Sequence, residues 1–484
     1  MSRQNQDYAF ITDEHGNNLP TVRIKKAILK NFKSVEYGEI TFNCGRQFVP
    51  YNTESDILGI YGQNGSGKTA FIEALAILQV LLAGGSVRDV YADCIAVDKE
   101  YAELEFVFDL QYPDGNIREA TYSFCLKKQE KTLDEIREAY KDAPEDIEIP
   151  DSEMKVIVFN EKFYLLWENA SKKQLIIDTS SEQTAFTPDT KRKALAGTGK
   201  RALVSLDVNK QLASIKSKSF IFLYDTLSVF NENDNSCIFF RTLIELRLFA
   251  QHYLYVVDTK SSGFIRLNLA MPIYTRGGRI LLNIRQPISI PENIYEEVKE
   301  EIRNISVVLT QLVPGLAIDV KKLSDTLTKK GDPASIIMLV ANRDGKELPL
   351  RDESDGVRKI ISVLSLITAA FNEQSVTVAI DEFDAGIFEY LLGEILQAFE
   401  ESGKGQFIFT SHNLRPLEVI NKKFLYFTTT NPKNRYIRLK NIAATNNLRD
   451  TYFREILLNE QEEEIYNRTK RHKIIDALKK AGGR

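Results

Sequence analysis

Cysteine, histidine, methionine and tryptophan are all scarce in this chain of 484 residues, numbering four, four, four and one. The cysteines (Cys44, Cys94, Cys125 and Cys237) stand far apart, with no CxxC and no Cys/His spacing. That argues against a disulfide framework or a zinc site and points to reduced thiols. No segment approaches the roughly 18 apolar residues that span a bilayer. The opening stretch, residues 1–18, is polar and lacks the apolar core of a signal peptide. The expectation is a soluble cytoplasmic protein with no membrane partner. A large excess of either charge is also missing. A net charge of −4 argues against a surface that is a nucleic-acid footprint throughout, and leaves a local basic stripe open. Long heptad runs, internal repeats and low-complexity tracts are absent, so no long coiled-coil arm is expected.

What is present is a phosphate-binding pattern in its proper setting. The apolar run Ile57-Leu58-Gly59-Ile60-Tyr61 leads into Gly62-Gln63-Asn64-Gly65-Ser66-Gly67-Lys68-Thr69, and Ala70–Leu78 continues as a helix. Glycines let several backbone N–H groups face one centre, where they cradle a phosphate chain. Lys68 adds a point charge for the β- and γ-phosphates, and Thr69 a hydroxyl for Mg²⁺. The helix beginning there turns its positive end to the same anion. By contrast, Gly197-Thr198-Gly199-Lys200-Arg201 has a GK pair without the loop spacing or a following Ser/Thr, and reads as a surface turn.

A hydrophobic fraction of 43% suffices for a large core in two to four domains. Strands are expected at 22–29 and 39–42, and as a hairpin at 102–110 and 120–126. Residues 133–153 are acidic and read as a solvated insertion or a partner surface. Residues 191–218 are the most basic stretch, a solvated helical face or a nucleic-acid contact. Residues 220–257 are aromatic and apolar, expected as helices of a second core, and 294–312 has helical periodicity. From 316 onward strands and helices alternate: strands at 316–320, 335–340, 376–380, 406–410 and 424–427, helices at 357–371 and 386–401. Such interleaving predicts a mostly parallel sheet covered by helices. The expected division is 1–130 as the first part of a head, 131–315 as an insertion, 316–445 as the second part of the head, and 446–484 as a basic helical tail.

The second half carries the rest of the site. Val376–Ile380 is a buried-strand pattern ending in Asp381-Glu382, placed where open α/β sheets hold ligands. Asp381 would hold Mg²⁺ and Glu382 would polarise the attacking water; read alone, the pair could be a helix cap. The next strand ends Thr410-Ser411-His412, which puts one of the few histidines beside the γ-phosphate as a sensor. Upstream, Glu353-Ser354-Asp355-Gly356-Val357-Arg358-Lys359 opens the helix before the acid strand, and a Ser and Gly there make a second anion-binding cap.

In this order the motifs resemble the ABC-type ATPase heads of the SMC, RecF and OLD group: NFKS, GQNGSGKT, a degenerate ESDGVRK signature, VAIDEFD and TSH, over residues 22–110 and 316–440. The resemblance implies an α/β head with a mostly parallel sheet, an antiparallel β-subdomain and a helical insertion. It implies ATP and Mg²⁺ as cofactors and a slow ATPase with Lys68, Glu382 and His412 catalytic. It further implies a homodimer or higher homo-oligomer through the heads, in which Ser354, Asp355, Gly356 and Arg358 act in trans and Asp384 forms a D-loop. Departures from the group are the lack of a recognisable Q-loop glutamine and of TOPRIM or HNH acid sets. The chain therefore also resembles the stand-alone ATPase subunits of anti-phage systems of the AbiL, PARIS and Septu type. That likeness extends to Asn446–Phe453 and the basic run Arg468–Lys480. It implies a separately encoded effector from the same operon, a nuclease or toxin, and a DNA or phage-protein trigger. The alternative is a RecF-like repair ATPase that binds DNA; a transporter subunit and a nuclease built on the 133–153 acids are disfavoured.

Overall fold

The computed structural model describes residues 19–42, 55–141, 150, 152–167, 170–233, 237–258, 270–275, 278–328, 330–343, 345–440, 447–458, 461–468 and 470–482. The polar opening stretch 1–18, Cys44, Pro144, Asn446 and the 142–149 portion of the acidic stretch lie outside them.

The described chain opens with the hairpin β1 (Thr21–Phe32) and β2 (Val35–Thr41). After β3 (Asp56–Tyr61) comes the phosphate-loop helix Lys68–Leu82. Strands β4 (Tyr101–Gln111), β5 (Ile117–Glu130), β6 (Met154–Leu166) and β7 (Gln174–Asp178) then join the hairpin in one six-stranded antiparallel sheet, ordered β2-β1-β4-β5-β6-β7. Helices at Asp189–Ala196, Lys200–Ile215, Tyr224–Asn233 and Ile238–Leu248 lead to β8 (Leu254–Val257). A hairpin follows, β9 (Ala270–Thr275) with β10 (Gly278–Asn283). Next comes a small antiparallel sheet of β11 (Ile288–Pro291), β12 (Leu316–Leu327), β13 (Pro333–Arg343) and β14 (Lys346–Pro349). Last come β15 (Thr377–Ile380), β16 (Gln406–Thr410), β17 (Leu425–Thr428) and β18 (Tyr436–Ile437).

The central sheet draws strands from across the chain in the order β18-β17-β3-β16-β15-β8, parallel except at β18. Side chains alternate between its faces, as a pleat requires. Leu58, Ile60, Val256, Ala379 and Ile408 enter one core, shared with the phosphate-loop helix and the antiparallel sheet. Ile57, Tyr61, Tyr255, Val257, Val378, Ile380, Phe407 and Phe409 enter the other, shared with the helices Asp355–Asn372 and Glu389–Ser402. Each such aliphatic side chain, fully buried, contributes about 1.5–3 kcal/mol over leaving it exposed. The architecture is α/β, with the parallel sheet covered on both faces.

A buried polar seam joins the antiparallel sheet to the central one. Gln406 bonds the backbone of Ile24 in both directions at 2.8 Å, and its Nε2 donates to Asp56 Oδ2 at 2.6 Å. The buried Arg23 guanidinium donates to Lys404 O and lies beside Asp56. Losing Gln406 would strand several of these groups, each costing about 1–3 kcal/mol when left unsatisfied.

Three sequence expectations need correction. The division at 130 cuts a sheet, because β6 and β7 extend it beyond that residue. Residues 220–257 do not form a second core: Phe222, Phe240, Leu243 and Leu254 pack with the phosphate-loop helix. Their last four residues are β8, an edge of the central sheet rather than helix. The 131–315 segment is thus woven into both sheets. Leu254–Val257 is too short for its period to separate strand from helix. Its pairing with β15 decides the matter.

Candidate functional site

Parallel strands deliver their C-terminal ends to one edge of the sheet, and there β3, β15 and β16 each end in a polar motif. Beyond β3 the loop turns tightly against the neighbouring strand. A Cβ on Gly62 would lie 1.7 Å from Thr428 Oγ1, so only glycine fits. Ser66 Oγ shares a 2.5 Å hydrogen bond with the same Thr428 hydroxyl, and Tyr436 OH donates to Gly67 O at 2.7 Å. The loop is therefore braced from behind by β17 and β18. Lys68 Nζ donates to Gly62 O at 2.8 Å and Gln63 O at 3.1 Å, curled over the loop it serves. Burial pushes its ammonium below the ordinary lysine range, against the opposing pull of Asp381, Glu382 and Asp384.

At the end of β15, the Thr410 hydroxyl donates to Asp381 Oδ1 at 2.6 Å and accepts from the Glu382 N–H at 2.8 Å. Asp381 is buried, whereas Glu382 is exposed and adopts a left-handed backbone (φ 47°). A non-glycine residue holds that conformation only when its surroundings impose it. Here Lys359 Nζ, buried on the helix Asp355–Asn372, donates to Glu382 O at 2.8 Å. Burial lowers the Lys359 pKa, countered by Asp384 first and then by Glu382 and Asp381. Asp384 accepts from the backbone N–H groups of His412 (3.2 Å) and Asn413 (3.0 Å), so within one chain it fixes the loop after β16.

Beside these groups lies a cleft of about 520 Å³, a size usual for small-molecule sites. Its lining includes Asn64, Gly65, Gly67, Lys68, Thr69, Asp381, Glu382, Asp384 and His412 from the sequence reading. Gly62, Gln63 and Ser66 complete the loop behind it. The signature residues stand apart: Ser354, Asp355, Gly356 and Arg358 do not line the cleft. Ser354 Oγ caps its helix by accepting from Val357 N at 3.3 Å. Arg358 turns back on Arg351 O, Glu353 O and Asp355. Gly356 packs against the turn beyond the acids, where a Cβ would meet Gly386 O at 2.7 Å.

Lys33 and Ser34 also line the cleft, and the motif reading assigned them no role. They form the turn between β1 and β2, with Lys33 N donating to Cys94 O at 2.6 Å and its ammonium paired with the fully buried Glu73 of the phosphate-loop helix. The signal was the NFKS stretch itself, a lysine at a hairpin turn just ahead of the phosphate loop. Lys359 and Thr410 were passed over as well, because each acts through a backbone group or a neighbour.

The residues present fit a magnesium nucleotide. Thr69 and Asp381 supply hard oxygen donors at the cleft, the kind Mg²⁺ prefers beside phosphate oxygens and water. Among the described residues no group of three or more His, Cys, Asp or Glu side chains could hold a metal alone. Such an ion would therefore depend on the phosphates.

A model of the AAA ATPase domain family matches residues 23–415. No curated protein matches the chain. Among solved structures, the SMC head domain from Thermotoga maritima is 16% identical, over 87% of this chain and 100% of that one, with a TM-score of 0.35. An Smc head domain with a coiled coil and joint, derived from Pyrococcus yayanosii, is 11% identical over 87% and 97%, with a TM-score of 0.37.

Proposed function

From the premise that this chain belongs to the AAA ATPase domain family, we propose that it binds ATP with Mg²⁺ and hydrolyses it slowly in the cleft at the end of β3, β15 and β16. One observation carries the reading: Lys68, Thr69, Asp381, Glu382 and His412 come from three separate strand ends and meet in one cleft. Loop N–H groups and Lys68 hold the phosphates. Thr69 and Asp381 would hold Mg²⁺, which offsets phosphate charge when bound. Glu382 would accept a hydrogen bond from an attacking water and so orient and polarise it, and His412 would sense the γ-phosphate.

Ser354 and Gly356 lie outside their own cleft at an exposed helix start. This supports closure of two heads in which each signature cap meets the neighbour's nucleotide. We read the output as a switch: ATP occupancy sets the open and closed populations of the heads. On the resemblance of the motifs, that switch would restrain a separately encoded effector in phage defence.

The RecF-like alternative, direct DNA binding, rests on the basic stretch 191–218. Much of that charge is engaged locally. Arg192 and Lys193 pair with Asp189, and Lys210 donates to Ser181 O and Thr184 O. We therefore rank it second.

The test is the mass of wild type and Glu382→Gln with and without ATP–Mg²⁺, beside an ATP turnover assay. An ATP-dependent dimer trapped by Glu382→Gln is the expected result. An assembly indifferent to ATP, with equal turnover in both proteins, would overturn the reading.

A further inference from the structure

After the central sheet the chain returns to the phosphate loop, behind the cleft. Ile465 is buried, and the Glu464 carbonyl accepts from Thr430 N at 2.7 Å. The Glu463 carboxylate accepts from Asn431 Nδ2 and Asn434 Nδ2, each at 3.0 Å. Two residues past Ile465, the Asn467 N–H donates to Gln63 Oε1 at 3.0 Å. Gln63 belongs to the phosphate loop, and its carbonyl takes a hydrogen bond from Lys68. Residues 461–468 are therefore a strap fastened to the 430–434 turn and to the loop that would hold the phosphates.

Beyond the strap stands a helix, Arg471–Ala481, with no buried residue. Its apolar side chains gather on one face: Ile474, Ile475 and Leu478 are 46%, 44% and 69% exposed. In sequence Lys470, Arg471, Lys473, Lys479 and Lys480 flank them, against the single acid Asp476. An amphipathic helix with an uncovered stripe is a helix-in-groove ligand, its anchors spaced to enter one apolar channel. The basic surround sets the chemistry of the rim it fits, which must carry Asp and Glu. Phosphates alone would leave the aliphatic stripe in water, and the short stripe lacks the aromatic residues that favour a lipid interface.

We propose that Arg471–Ala481 docks into an acid-rimmed apolar groove of a protein partner, and that the strap 461–468 carries the effect of docking to the phosphate loop through Asn467 and Gln63. The coupling half rests on the nucleotide reading above; the docking half does not.

The probe is a synthetic Leu/Glu peptide patterned as an acidic amphipathic helix, titrated against the full chain beside duplex DNA and phosphatidylglycerol vesicles. Wild type should prefer the peptide, in a salt-sensitive way. The variant Ile474→Asp with Leu478→Asp, changed only at exposed positions, should lose at least about tenfold in peptide affinity. Saturating peptide should shift the affinity for a fluorescent ATP analogue about fivefold or more. The shift should persist in Asn467→Ala, which keeps the N–H, and vanish in Asn467→Pro, which lacks it. Preference for DNA or vesicles, or peptide binding unchanged in the double variant, overturns the docking helix. Peptide binding that leaves analogue affinity unmoved overturns the coupling. A chain that binds no analogue at all refutes the ATP reading, while the peptide titration still decides the docking.

Discussion

Two helix starts each place a lysine near the same acids, and they differ in what each can do alone. The phosphate loop faces its cleft, with Lys68 folded over the Gly62 and Gln63 carbonyls and the loop braced by Thr428 and Tyr436. The Ser354 turn faces away: Ser354 caps Val357, Arg358 is folded back, and only Lys359 reaches inward, to the carbonyl of Glu382. Both helices bury a lysine whose ammonium burial disfavours. Both end on peptide carbonyls, but the first lysine lines the cleft and the second does not. One helix start thus lines the cleft directly, while the other reaches toward it through a hydrogen bond to the Glu382 carbonyl.

The sharpest way to break this contrast is Lys68→Ala. Losing the charge and its donors should weaken ATP binding by about a hundredfold or more, read by calorimetry. The ligand-free melting temperature should hardly fall, since Lys68 bonds only its own loop. Next, Glu382→Gln should lower kcat by about a hundredfold or more and retain ATP, read in single-turnover assays. Equal turnover would remove Glu382 from the chemistry.

The other helix start should give smaller effects. Lys359→Met should lower kcat about tenfold with little change in KM, because the left-handed Glu382 backbone loses a hydrogen bond worth about 1.5 kcal/mol. Lys359→Arg should restore part of the rate. If both variants match wild type, Lys359 does not position Glu382. Ser354→Ala is the mildest, costing about 1 kcal/mol as a lost helix cap, seen as a drop of a few degrees in Tm. In the two-head reading its ATPase falls further than that Tm predicts; loss in step with Tm alone would make Ser354 a cap and nothing more.

Which parts of this were readable follows from how locally each is encoded. The phosphate loop was legible because eight consecutive residues and their flanks carry the whole geometry. The α/β layering around β15 and β16 followed from alternating periods, and both strands lie within a residue of their expected bounds. The strands expected at 316–320 and 335–340 did not join that parallel sheet: they are part of β12 and β13, which pair antiparallel in a sheet of their own. Membership of β8 in the central sheet was not legible, since Leu254–Val257 matches a buried helix as well as a strand. Lys359, Thr410 and Gln406 were missed because their partners sit across the fold, 23, 29 and 382 residues away. A periodicity window of about 11–18 residues never contains both ends of such a bond.

The placement of β3 has a consequence for how the protein comes into being. Its sheet neighbours are β16 and β17, and Asp56 meets Gln406 across 350 residues. A chain emerging from the ribosome can pair β1, β2 and β4 to β7 early, since those contacts are nearer in sequence. The strand leading to the phosphate loop must meanwhile wait with its edges open until most of the polypeptide is made. Nucleotide competence would therefore arrive late and all at once. An interrupted or truncated translation product would carry the loop sequence, yet lack the sheet that holds it in shape.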